Sequence, residues 1–264
     1  MRPLATMPAA ACAAMRGVLA DIDDTLSTGG RITAEAYAAM ERLRRAGLLF
    51  IPITGRPAGW CDHIARMWPV DAVVGENGAL YMRHDDAMGR LRKRYAATET
   101  ERAANRGRLA AVGESILRAV PGAALASDQP YRESDLAIDF CEDVPRLPEG
   151  AIDRIMALMR AAGMTAKMSS IHVNGWFGAY DKLAMTRSLL RDEFGIDVDA
   201  ERERFVFVGD SPNDAPMFEH FPYAVGVANV RNYAGRLSSL PAYVTEAESG
   251  AGFAEVVAHL LAAR

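Results

Sequence analysis

The sequence predicts an α/β protein: a doubly wound parallel sheet with helices on both faces, carrying a smaller α+β module inserted into it. Three observations predict this. Short apolar runs alternate with helical patterns at both ends of the chain, as βαβ units require. Three of those runs end in a polar residue followed by a turn. The middle of the chain instead places strands in adjacent pairs, the mark of antiparallel pairing. A length of 264 residues with 50% hydrophobic and 24% charged residues allows a large core and a second, smaller domain.

The apolar runs are 17–20, 48–53, 72–74, 205–209, 224–228 and 243–245. Between the first two, Thr33 caps a predicted helix on which Tyr37, Met40 and Leu43 recur at near-helical spacing, with Gly47 as its stop. This should form a right-handed crossover. Pro52 interrupts the second run and removes one donor. Another helix is predicted from Asp181 to Phe194, stopped by Gly195. The middle reads as a helix (99–120), an apolar run (123–126), an alternating strand (135–141), a helix (149–162) and two strands (164–168 and 171–176). The division predicted is therefore a Rossmann-like core of residues 1–84 and 178–264 around a cap module of residues 85–177. Residues 1–15 are Ala-rich and are expected to be a ragged extension, not a signal segment, with Met15 as an alternative start.

The net charge is −4 and no basic block is present, which argues against a surface for nucleic acid. No apolar run approaches the roughly 20 residues that span a bilayer. Cys12, Cys61 and Cys141 show neither disulfide nor zinc spacing, which fits a reducing cytoplasm. A small-molecule partner is expected; the oligomeric state is not legible. Lysine is scarce, with Lys93, Lys167 and Lys182 the only three among 30 basic residues.

Parallel strands end on one edge of a doubly wound sheet, where ligands bind, so Asp21, Thr54 and Asp210 should converge. With Asp23 and Asp214 nearby, carboxylates crowd one crevice. Two such charges about 4 Å apart repel by about 4 kcal/mol at an effective dielectric near 20, so the cluster needs protons or a cation. All-oxygen donors select a hard ion, and Mg²⁺ is the natural occupant. Lys182 in the first turn of its helix opposes the helix dipole, which points to an anion close by. Metal, ammonium and hydroxyl together suit a phosphoryl group.

Four segments in this order resemble the haloacid dehalogenase superfamily of phosphohydrolases. They are Asp21-x-Asp23-x-Thr25, Thr54-Gly55-Arg56, Lys182, and Gly209-Asp210-x-x-Asn213-Asp214. The module between the second and third is similar to the type IIB cap subfamily of Cof-like, sucrose-phosphate, mannosyl-phosphoglycerate and trehalose-phosphate phosphatases. Gly75-Glu76-Asn77-Gly78-Ala79 resembles the loop that precedes that cap.

The resemblance implies Mg²⁺-dependent hydrolysis of a phosphate monoester of a small metabolite, such as a sugar phosphate, through an aspartyl-phosphate. Asp21 would be the nucleophile and Asp23 the acid and base. Thr54 and Lys182 would hold phosphoryl oxygens, with Gly55, Arg56 and Asn213 in the phosphate-binding set. Asp21, the Asp23 carbonyl, Asp210 and Asp214 would serve the metal, the last directly or by ordering its waters. Asp24 and Leu183 depart from the glycines common in the family, and Asn229 matches a later core loop only loosely. A phosphomutase using the same intermediate, or a phospho-acceptor or phospho-ligand-binding regulator, remain open. In the module, His172 is the substrate-facing candidate on a strand it shares with Asn174 and Trp176. Trp60, Cys61 and His63 read as packing or capping residues of the helix after Arg56.

Overall fold

The computed structural model describes residues 1–264. The N-terminal half of the core runs β1 (Arg2–Pro3), α1 (Ala9–Ala14), β2 (Gly17–Ala20), the short hairpin β3 (Ser27–Thr28) and β4 (Arg31–Ile32), α2 (Ala34–Arg45), β5 (Leu49–Pro52), α3 (Ala58–Met67) and β6 (Val73–Gly75). A second hairpin follows, β7 (Leu80–Asp85) and β8 (Arg90–Tyr95). The module comprises α4 (Glu99–Ala119), β9 (Ala124–Leu125), β10 (Asp135–Asp139), α5 (Glu149–Ala161), β11 (Thr165–Met168) and β12 (His172–Trp176). The chain returns through α6 (Lys182–Phe194), β13 (Phe205–Gly209), α7 (Ala215–His220), β14 (Val225–Gly226), β15 (Tyr243–Val244) and α8 (Ser249–Ala262).

Six parallel strands form the main sheet in the order β1-β15-β14-β13-β2-β5. Period-2 alternation splits each central strand between two cores. Val18, Ala20, Phe50, Val206 and Val208 face α2, α3 and α8. Leu19, Ile51, Phe205 and Phe207 face α6 and α7. Because both faces are covered, the strands read as continuous apolar runs. Pro52 costs no ladder bond here: Phe50, two residues before it, donates to Asp71 Oδ2 at 2.8 Å, on the side away from β2. The missing Pro52 donor lies on that same outward side, while Ile53 N–H still reaches Ala20 O at 2.8 Å.

The module builds its own antiparallel sheet, β11-β12-β10-β9. Its separate core holds Ile116 of α4, Ile152, Ile155 and Met159 of α5, and Leu136, Ile138 and Val173 of the sheet. No helix of the chain is long and apolar enough to cross a membrane.

One sequence expectation is corrected. Residues 1–15 are not a ragged extension: Arg2 and Pro3 pair with Tyr243 and Val244 at the sheet edge, and Leu4, Met7, Ala11, Cys12 and Met15 lie in the main core. Burying a side chain such as Leu or Met is worth about 1.5–3 kcal/mol, enough to hold the segment. The β7–β8 hairpin runs across the expected division at 84/85 and extends β6 into a three-stranded antiparallel sheet.

Candidate active site

Asp21 follows β2 directly, and its N–H continues the ladder to Val208 O at 2.9 Å, so the side chain is delivered at the carboxyl edge of the sheet. Asp210 follows β13 next door. Lys182 opens α6, whose cap is Asp181, with Oδ1 accepting from Ala184 N–H at 2.7 Å. All these site side chains are buried, and so is Asp214.

Lys182 Nζ lies 2.5 Å from Asp21 Oδ1 and 2.7 Å from Asp214 Oδ1. Asp21, Asp210 and Asp214 each offer an oxygen within 4.8 Å of the others. The other oxygen of Asp214 accepts from the N–H groups of Asp210 and Ser211, at 3.1 and 3.2 Å. Both Asp214 oxygens are therefore engaged. Asp210 is oriented by Thr25 Oγ1 at 3.2 Å and by Asn229 Nδ2 at 3.3 Å.

The electrostatics follow from burial with too few cations. Burial, with Asp214 and Asp23 adding to it, pushes the Asp21 carboxyl up to about 8 against the pull of Lys182. Asp210 is driven well above the usual carboxylate range, chiefly by burial and then by Asp21 and Asp214. Burial also works against the Lys182 charge, but Asp21 and Asp214 outweigh it and raise the ammonium above the ordinary lysine range. One ammonium faces three carboxylates, so the cluster lacks positive charge. Its donors are all oxygen, which fits a hard divalent cation such as Mg²⁺.

The remaining sequence candidates are distributed around this cluster. Thr54 is fully buried at the end of β5; its Oγ1 accepts from Arg56 N–H at 3.0 Å and its carbonyl from Asn77 N–H at 3.0 Å. Asn213 is tied to Ser211 at 2.8 Å and to Asn77 at 3.1 Å. The carbonyl of Gly55 accepts from Arg132 of the module at 2.8 Å. Asp23 is held by Arg56, whose Nε donates to its two oxygens at 2.9 and 3.1 Å. The Arg56 guanidinium also reaches two carboxylates of the module, Glu142 at 2.6 Å and Asp128 at 3.3 Å. It faces carboxylates on every polar edge and ties the core to the module. His172 sits apart from the aspartates: its Nε2 lies 2.8 Å from Glu142 Oε2. Asn174 donates to Asp135 and Trp176 to the Tyr180 carbonyl, both as sheet-packing residues.

Sequence reasoning missed Ser211, Asn77, Glu142 and Asp128. Ser211 and Asn77 stand inside motifs that were recognised, whereas Glu142 and Asp128 carried no signal. Asp24 is explained by its backbone, which has φ +55°, a left-handed conformation that glycine favours and Asp tolerates.

Residues 18–101 match the family described as haloacid dehalogenase-like hydrolases. That stretch, about a third of the chain, is similar to the haloacid dehalogenase-like family. A phosphoglycolate phosphatase from Methanosarcina mazei is 43% identical over 60 residues, which is 23% of this chain and 25% of that protein. The chain thus spans about a quarter of the length of the curated relative it matches. Among solved structures, the C-terminal domain of a C. albicans trehalose-6-phosphate phosphatase aligns with TM-score 0.72 at 12% identity, covering 96% of this chain and 95% of that one. A sucrose-phosphatase from Synechocystis sp. PCC6803 aligns with TM-score 0.61 at 17% identity, covering 93% and 98%. The fold shared with these two structures extends through the inserted module as well as the core.

Proposed function

We propose that the chain hydrolyses phosphate monoesters of small metabolites in two steps, with Asp21 as nucleophile. The observation that carries this reading is the Lys182 ammonium held between Asp21 and Asp214 beside Asp210, at the sheet edge where an α/β fold binds its ligand.

In the first step an Asp21 oxygen attacks phosphorus in line with the ester bond, forming an aspartyl-phosphate as the P–O bond to the leaving group breaks. Asp23 delivers a proton to the departing oxygen. In the second step the Asp23 carboxylate takes a proton from water, whose oxygen attacks the phosphorus and releases inorganic phosphate and free Asp21. Arg56 fixes the position of the Asp23 carboxyl, with Nε donating to both of its oxygens. Thr54 and Lys182 hold phosphoryl oxygens, and Asn213 and Ser211 fix the loop opposite. Asp21, Asp210 and the Asp23 carbonyl would hold Mg²⁺, which when bound neutralises charge on the phosphoryl oxygens. Asp214, with both oxygens engaged, acts through Lys182 and the backbone of its loop. Residues 85–177 form the cap, closed onto the core 1–84 and 178–264 through Arg56, and closure excludes water during the chemistry. The two structural neighbours named for sugar-phosphate hydrolysis make a sugar phosphate one candidate class.

Phosphate release from p-nitrophenyl phosphate tests this. Release in Mg²⁺ should be abolished by EDTA and reduced about a thousandfold or more by Asp21→Asn. Undiminished release by Asp21→Asn would sink the assignment.

A further inference from the structure

We infer that the leaving group of the ester is an uncharged aromatic ring, seated in a cavity beside Asp23 and stacked on Trp60. This rests on the role proposed for Asp23 and adds the substrate class. The cavity has a volume of 490 Å³, within the usual range for small-molecule sites. Its wall is built by Ile22 and Asp23 from the turn after β2, Ile32 from the β3–β4 hairpin, Trp60 and Trp68 at α3, and Tyr131 from the module. Of the proposed chemical groups only Asp23 belongs to this wall; Asp21, Asp210 and Lys182 do not. The group that donates a proton to the leaving oxygen therefore faces this space, and the space lies on the leaving-group side.

Charge and polarity narrow the occupant. Arg56 is the one guanidinium in the wall; Trp60 covers its face at 4.4 Å, and Asp23, Asp128 and Glu142 surround its edges. The guanidinium is thus already matched by acidic partners, and a carboxylate or second phosphate in the cavity would lie against Asp23. Besides Ser27 and His63, the wall offers polar atoms only at the edges of Trp60, Trp68 and Tyr131, and it is otherwise apolar through Ile22, Ile32 and Ile64. A polyhydroxylated ring would lose water there without replacing most of its hydrogen bonds. Trp60 and Tyr131 remain 41% and 59% exposed, aromatic surface that a flat apolar ring would cover.

Calorimetric titration of the full chain in Mg²⁺ with phenylphosphonate and methylphosphonate tests the cavity without turnover, because neither probe has a hydrolysable ester. Phenylphosphonate should bind about tenfold tighter than methylphosphonate or better. Trp60→Ala should remove most of that preference and Trp60→Phe should restore it. Equal affinity for the two probes, or equal loss of both in Trp60→Ala, would overturn the inference. In turnover, phenyl phosphate should exceed glucose 6-phosphate and phosphoglycolate in kcat/KM; the opposite order also overturns it. Tight phenylphosphonate binding with no ester hydrolysed would retire the phosphatase reading and leave the aromatic site standing.

Discussion

Asp21 and Asp210 are raised carboxyl groups, and this fixes how the protein responds to pH. In the unfolded chain an Asp ionises near 3.8, whereas burial keeps folded Asp21 protonated up to about 8. Between these values the folded state binds more protons, so the stability of the metal-free protein falls as pH rises from about 4 to about 8. A divalent cation favours the ionised carboxyls, so Mg²⁺ should raise Tm more at pH 8 than at pH 6. Asp210→Asn relieves the crowding: its metal-free Tm at pH 8 should rise by about 2–4 °C per kcal/mol gained for a chain this size, with the Mg²⁺ increment lost. Thermal melts at both pH values check this, and a metal-free Tm that climbs with pH would contradict it. At this scale the sequence was informative wherever a strand end delivered the residue, as for Asp21, Thr54 and Asp210. It was silent on Glu142 and Asp128, which reach Arg56 from turns 86 and 72 residues away and follow no period.

The α6 terminus that presents Lys182 depends on a close approach by the loop after β6. Gly78 sits at φ +103°, and a Cβ there would run into the backbone of Asp181 and Lys182. Gly78→Ala should therefore displace the start of α6, cutting kcat by about tenfold or more while CD shows the fold retained. Full activity in this variant would mean that α6 is positioned by something else. Helices and buried strands were legible because their periods are strong and their caps, such as Thr33 and Asp181, are local. The β7–β8 hairpin was not, since Arg90, Arg92 and Arg94 give β8 the look of a solvated loop. Two of them reach far along the chain: Arg92 pairs with Glu193 at 3.2 Å as well as with nearby Asp85 at 2.7 Å, and Arg94 pairs with Asp192. Strand β1 escaped for a similar reason, because two residues pairing with Tyr243 and Val244 leave no local pattern.

Across the whole molecule, the segments that build the Asp21, Lys182, Asp210 and Asp214 cluster come from both ends of the chain, and the middle of the chain supplies a second sheet with its own core. Arg56 spans the division, holding Asp23 on one side and Glu142 and Asp128 on the other. Glu76 reinforces the closed arrangement from the core, accepting from the N–H groups of Glu133 and Ser134 at 2.9 and 2.7 Å. The change from alternating to paired strands was legible in the sequence, but nothing local foretold which side chains would link the two sheets. The central claim is that Asp21 becomes covalently phosphorylated. Its most direct test is mass mapping of the Asp23→Asn variant mixed with p-nitrophenyl phosphate and Mg²⁺, because that leaving group departs without an acid while the second step lacks its base. A phosphoryl group on the peptide containing Asp21 is the predicted result; an unmodified Asp21 with phosphate still released at the wild-type rate would contradict the account.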